Sequence, residues 1–173
     1  TTAFNLNNVP TYANALISDN AYASFTTNGD ASAYGSFGFT TNDAGGVIPS
    51  GALILGIEVQ LEGNRVAAGG QFTRDLNISL SWHHGATSPP ALHMPRFNSG
   101  TDATVLVGGS NNTWGRTWAV SELTNPNFRI RCQVPAAAQG SINLDFVQVR
   151  VYYCVVPGAP SVTSPIDYCL NST

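Results

Sequence analysis

The groups with the most chemistry to offer are three cysteines, three histidines, ten carboxylates and three Asn-x-Ser/Thr sequons. Cys132 shares strand parity with Phe128, Ile130 and Val134, which predicts a small buried core residue. Cys154 falls on the opposite, outward parity of its strand, and Cys169 lies in the tail. The expected pair is therefore Cys154–Cys169, a closed loop of a size that contributes ~3 kcal/mol. Three free thiols in a reducing compartment, or a bond between subunits, are the alternatives.

His83, His84 and His93 do not make a metal set, because adjacent histidines on a strand point to opposite faces and no Cys or acid cluster completes them. Asp19, Asp30, Asp43 and Asp102 sit in loop-like stretches and could hold a structural Ca²⁺, without the alternating acidic spacing of a calcium loop. The acids are too scattered to nominate a glycosidase pair, and no Ser or His stands in a nucleophile motif. The expectation is no enzyme, no catalytic residues, no metal and no cofactor. Trp114 and Trp118, with Trp82, Tyr34 and Tyr152, are candidates for a sugar-stacking platform, against the alternative of core packing. Asn77, Asn111 and Asn171 head the sequons; each is expected at an accessible position, as a glycan requires.

These groups must be positioned by strands. Ile57, Val59 and Leu61 alternate with Glu58, Gln60 and Glu62. Ile78, Leu80 and Trp82 alternate with Asn77, Ser79 and Ser81. The longest run is 142–155, where Val147, Val149, Val151 and Tyr153 share one face. Ile142, Leu144 and Phe146 are apolar on the opposite parity, so a bulge or a twist is predicted near Asp145. Further strands are read at 22–26, 33–42, 104–107 and 128–134, with a turn at 48–51 and a long loop over 83–101. A helical turn is read within 117–123, with Ser121 as its N-cap. About eight strands predict an all-β antiparallel sandwich of jelly-roll type over residues 1–156, followed by a C-terminal extension over 157–173.

Composition narrows the function. The chain has 173 residues, seven Arg, no Lys and a net charge of −3. That leaves no basic face for nucleic acid. No run reaches the ~20 apolar residues of a membrane helix. A start at Thr1 rather than Met reads as a processed, secreted chain. Without lysine, a Lys–Asn isopeptide link is impossible, so any polymer is held by non-covalent contacts or sulfur.

The segments ANALISDNAYASF (13–25), FGFTTNDAGGVIPSGALILGIEVQLEG (37–63), NNTWGRTWAVSELTNPNFRIR (111–131) and LDFVQVRVYY (144–153) resemble, in this order, a β-sandwich module of secreted bacterial surface proteins and phage proteins. The resemblance implies a sandwich fold and an extracellular setting, and lends no catalytic residues. The tail segment PSVTSPIDYCLN (160–171) resembles the opening of Ig-like repeats in large secreted bacterial adhesins.

Within that tail, Val162, Ser164, Ile166, Tyr168 and Leu170 fall on one parity, the periodicity of a strand beyond the domain's last strand. An extra strand can cover a sheet edge of a neighbouring copy. The N-terminal TTAFNLN is the competing donor. The expected function is a structural subunit of an extracellular filament or surface layer, its partner being itself as a homopolymer. The alternative is a carbohydrate-binding or adhesin module of a larger secreted or phage fibre protein, with glycans as partners.

Overall fold

The computed structural model describes residues 2–7, 9–26, 29–39, 47–66, 74–83, 92–124, 126–135 and 140–155. The longest alternating runs become the longest strands. These are β4 (Leu53–Val66) and β11 (Ser141–Cys154), fourteen residues each, paired antiparallel along their whole length. Ile57, Val59 and Leu61 of β4 and Val147 of β11 are buried, while Gln148 and Arg150 are exposed. The predicted bulge is present: the register shifts between Leu144 and Phe146, leaving Asp145 as the extra residue. That extra residue lets Ile142 and Leu144 share the buried side with Val147 despite their opposite parity.

The fold is an antiparallel β-sandwich. β2 (Ala23–Phe25), β11, β4 and β9 (Ala103–Gly108) form one sheet in that order. The facing sheet runs β1 (Thr2–Asn7), β3 (Ala31–Gly35), β10 (Arg129–Gln133), β6 (Asn77–Ser81), β7 (Leu92–His93). A two-residue pair, β5 (Arg74–Asp75) with β8 (Arg96–Phe97), stands apart. The 3₁₀ turns are η1 (Tyr12–Ala15) and η2 (Val120–Leu123). The core lies between the sheets, where Ile57, Leu61 and Leu144 meet Tyr34, Ile78, Leu80, Ile130 and Cys132.

Several expectations are corrected. The described residues form eleven strands where about eight are expected; three two-residue strands make the difference, β7 and β8 within 83–101, read as loop, and β5 at Arg74–Asp75. The strand read over 33–42 ends at Gly35, since Ser36 and Gly38 take positive φ (61° and 77°) and turn the chain. Ser121 lies inside η2; Ala119 is the N-cap, and its backbone N–H donates to Glu122 Oε2 at 2.8 Å. The outward row of β6 is not solvated. Ser79 and Ser81 are both buried. TTAFNLN is not a free donor, because β1 already pairs with β3 of its own chain.

Leu61 is fully buried at the centre of the β4–β11 ladder. Leu61→Ala is expected to cost about 2–5 kcal/mol of unfolding free energy, measured by denaturant titration.

Candidate functional site

The segment Trp114-Gly-Arg-Thr-Trp118 folds inward. Trp114 is 1% exposed and donates its indole N–H to the Ile57 carbonyl at 2.8 Å. Trp118 is 3% exposed and donates to the Thr113 carbonyl at 2.8 Å. Arg116 lies between rings, 3.8 Å from the Trp82 centroid and 4.4 Å from that of Trp118, and pairs with Glu122 at 2.7 Å. Phe37, Phe39 and Phe128 extend this cluster by edge and stacked contacts. Trp114 and Trp118 thus serve packing and present no ring face for a sugar. Tyr34 is fully buried as well. Loop sequence without periodicity gave no sign of this burial.

The sequons separate. Asn111 is exposed in a turn. Asn77 lies on the outward parity of β6, opposite the core residues Ile78 and Leu80, but is half-buried with its amide oxygen buried. Asn171 lies outside the described residues, as do Asp43, His84 and Cys169.

The three described aspartates considered for Ca²⁺ each accept a hydrogen bond. Asp19 accepts from Ala21 N–H, Asp30 from Thr26 N–H, and Asp102 from Tyr22 O–H and Asn64 Nδ2–H. The bond from Asp102 also raises the Tyr22 pKa above its ordinary value. Among the described residues, no three His, Cys, Asp or Glu side chains gather in a way that could hold a metal ion. His83 lies 5.5 Å from the Trp82 ring at a tilt of 51°, and His93 lies 4.2 Å from the Trp114 ring, with burial lowering its pKa.

Two polar arrays mark the outer face of the β4–β11 sheet. At one end, Ser24, Asn143, Asn64, Asp102 and Tyr22 form a continuous hydrogen-bonded row with bonds of 2.8–3.2 Å. At the other, Arg150, Tyr152 and Glu58 bond one another beside Gln148 and Gln60. A hollow of about 490 Å³, lined by Ser50, Ala52, Ala119, Val120 and Ser121, carries no charged group.

The feature with most capacity for binding is backbone. β11 pairs with β4 on one side throughout. On its other side β2 pairs only with Ile142, Asn143 and Leu144, and Leu16 bridges Phe146. Residues 147–153 therefore present an edge with no partner strand among the described residues. Cys154 closes that edge. It stands on the outward parity, is only 5% exposed and is disulfide-bonded. Cys132 is a buried free thiol, as its parity predicted, and burial pushes its pKa well above the usual range.

No family model matches the chain, and no curated protein matches it. Among solved structures, a chain described as "CBM4 structure and function" is similar over 79% of this chain and 87% of that one, at 12% identity and a TM-score of 0.45. That level of likeness supports no argument about this chain's ligands. No helix among the described residues is long and apolar enough to cross a membrane.

The lowered pKa of His93 has a sign. The folded state binds that proton less readily than the unfolded chain does, so stability is lost as pH falls through about 6.5, the unfolded value, towards the folded pKa. Thermal melts between pH 7.5 and 5 are expected to show this loss, and to show less of it in His93→Gln.

Proposed function

We propose that this chain is a non-enzymatic β-sandwich subunit of an extracellular filament or surface layer, assembling with copies of itself by strand addition along β11. The observation that carries this reading is the β11 edge at 147–153, which has no partner strand among the described residues and lies on one of the two longest strands of the fold. An unpaired strand edge is a row of backbone donors and acceptors, and adding a strand satisfies it. The sparse charge of the chain, with seven Arg and ten acids, leaves few like-charge repulsions to oppose close packing of copies. Asn111 is the exposed described position at which a glycan could keep such an assembly dispersed.

Val151 faces inward beside this edge and is only half-buried. Val151→Lys places a charge where an added strand would close over it, one of the devices by which edges are kept from pairing. The variant is expected to keep a cooperative melt and to lose assembly, followed by electron microscopy and light scattering of purified chain. Unchanged filaments or layers would sink the reading, and so would a wild-type chain that stays monomeric under all conditions.

A second reading, a carbohydrate-binding or adhesin module of a larger secreted or phage fibre protein, is favoured by the array of Arg150, Tyr152, Glu58, Gln60 and Gln148 on one sheet face. These groups offer donors and acceptors in a row, without a buried aromatic platform. On this reading, a glycan array finds a ligand, and the double variant Arg150→Ala, Tyr152→Ala lowers its affinity at least about tenfold, ~1.4 kcal/mol. An array with no hit disposes of it.

A further inference from the structure

We infer that the outer face of the β11–β4–β9 sheet binds an extended, uncharged polysaccharide that runs along β11 from Phe146 to Tyr152. This rests on the carbohydrate-binding reading above and names the ligand class, its course and the residues at its two ends.

Parity builds the strip. Val147, Val149 and Val151 pack into the sandwich, so Phe146, Gln148, Arg150 and Tyr152 stand together on the outer face. Register sets a neighbour beside each: Glu62 by Phe146, Gln60 by Gln148, Glu58 by Arg150 and Gly56 by Tyr152. β9 adds a third column, with Leu106 beside Gln60. Leu106 is 57% exposed, and Gln148 and Arg150 are exposed, so the chain does not cover this face itself. Phe146 and Tyr152 are six residues apart, about 20 Å at the strand rise, and the three columns span about 10 Å. A small molecule is held in a pocket that encloses most of its surface. A long, shallow strip suits a linear polymer instead.

The two ends are aromatic. Trp114 and Trp118 are committed to the core, but Phe146 and Tyr152 are part-exposed and lie outside the core cluster. The Tyr152 hydroxyl donates to Glu58 Oε2 at 3.3 Å and accepts from Arg150 at 3.4 Å, both one row along the sheet. A ring tethered in that direction lies along the strand and presents its face, the surface on which the C–H side of a sugar stacks. Beside it the 109–110 turn crosses Gly56 so closely that a Cβ there would collide with the Gly109 carbonyl. That turn walls the Tyr152 end.

The middle is built for hydroxyls. Gln60 and Gln148 stand side by side, and each amide offers two donors and an acceptor. A sugar hydroxyl both donates and accepts, so either amide can meet it in either sense. Charge then selects among polysaccharides. Arg150 is paired with Glu58 at 3.2 Å, and Glu62 adds a carboxylate with no ion-pair partner among the described residues. The strip is therefore net negative. It repels uronate and sulfate groups and favours an uncharged chain.

The test uses the full chain in native gels that each contain one soluble polysaccharide: dextran, laminarin, galactomannan or xylan as neutral probes, alginate or pectate as acidic ones. At least one neutral polymer is expected to retard the protein, and neither acidic one. In titration calorimetry with oligosaccharides of the retarding polymer, affinity is expected to rise with length until the strip is covered and then to level. Phe146→Ala and Gln60→Ala are each expected to weaken binding at least about tenfold with the melt unchanged. Leu92→Ser, on the outer face of the other sheet, is expected to change nothing. The length dependence needs no variant, so it decides the matter even where Phe146→Ala fails to fold.

Retardation by acidic polymers alone, or by none, overturns the inference. So does self-association that Gln60→Ala abolishes in a chain no sugar retards, which gives the face to a second copy. If a neutral glycan binds and the Arg150→Ala, Tyr152→Ala variant loses it, while ligand length and Phe146→Ala make no difference, the extended course is wrong and the broader carbohydrate reading stands. If neither gels nor a glycan array find any carbohydrate ligand, both fail together.

Discussion

The carbonyl of Ile57 is the point on which the two sheets are fastened together. It accepts the Trp114 indole N–H at 2.8 Å and the Gly109 N–H at 3.1 Å, while the Ile57 N–H donates to the Asn112 carbonyl at 2.9 Å. Regular pairing of β4 with β9 stops one residue away, at Glu58–Gly108. From there the chain folds over β4 as a loop. Gly108, at φ 82°, admits no side chain, because a Cβ would collide with this same carbonyl. Trp114 takes a left-handed backbone (φ 57°), held by the bond from its N–H to Asn112 Oδ1. Its ring, bonded to one sheet, packs against His93 of the other. A buried indole without an acceptor would forfeit a hydrogen bond, so the loop's course and the sheet's register fix each other.

The Trp114 loop in turn sets the end of the sandwich from which the tail leaves. Arg116 is carried between Trp82 and Trp118, and Glu122 holds both Arg116 and the start of η2. Phe128 and Phe39 complete the closure. The opposite end is organised by polar contacts, the row from Ser24 to Tyr22. One end is therefore capped by stacked rings and the other by hydrogen bonds. Among the described residues, β11 is flanked on one side only beyond Phe146.

Much of this was legible in the sequence where side chains alternate. The parity of Ile57, Val59 and Leu61 marks the buried face of β4. The switch between Leu144 and Val147 announces the bulge at Asp145, because a period of two cannot change phase without an extra residue. The burial of Cys132 follows from the same rule. What periodicity cannot reach is the loop carrying Trp114 and Trp118, whose positions depend on a carbonyl more than fifty residues away. Nor does it reveal that Ser79 and Ser81 would be buried. A polar row reads as solvated from alternation alone, which carries no information on what packs over that face. The stretch of β11 that lacks a partner strand among the described residues was hidden for another reason. It results from β2 being three residues long opposite a strand of fourteen, a mismatch that appears only once pairing partners are known.

The full-length pairing of β4 with β11 also has a mechanical side. Tension along the axis of β11 loads all the hydrogen bonds of that ladder at once, in shear. Tension across it would break them singly, as a zip opens. A strand fixed along the free side of β11 would be loaded in the same way. β1, short and attached to β3 in the other sheet, would stay outside the load path. A fibre built along this direction would resist stretching through the longest strands it has and leave its weakest attachments unstressed.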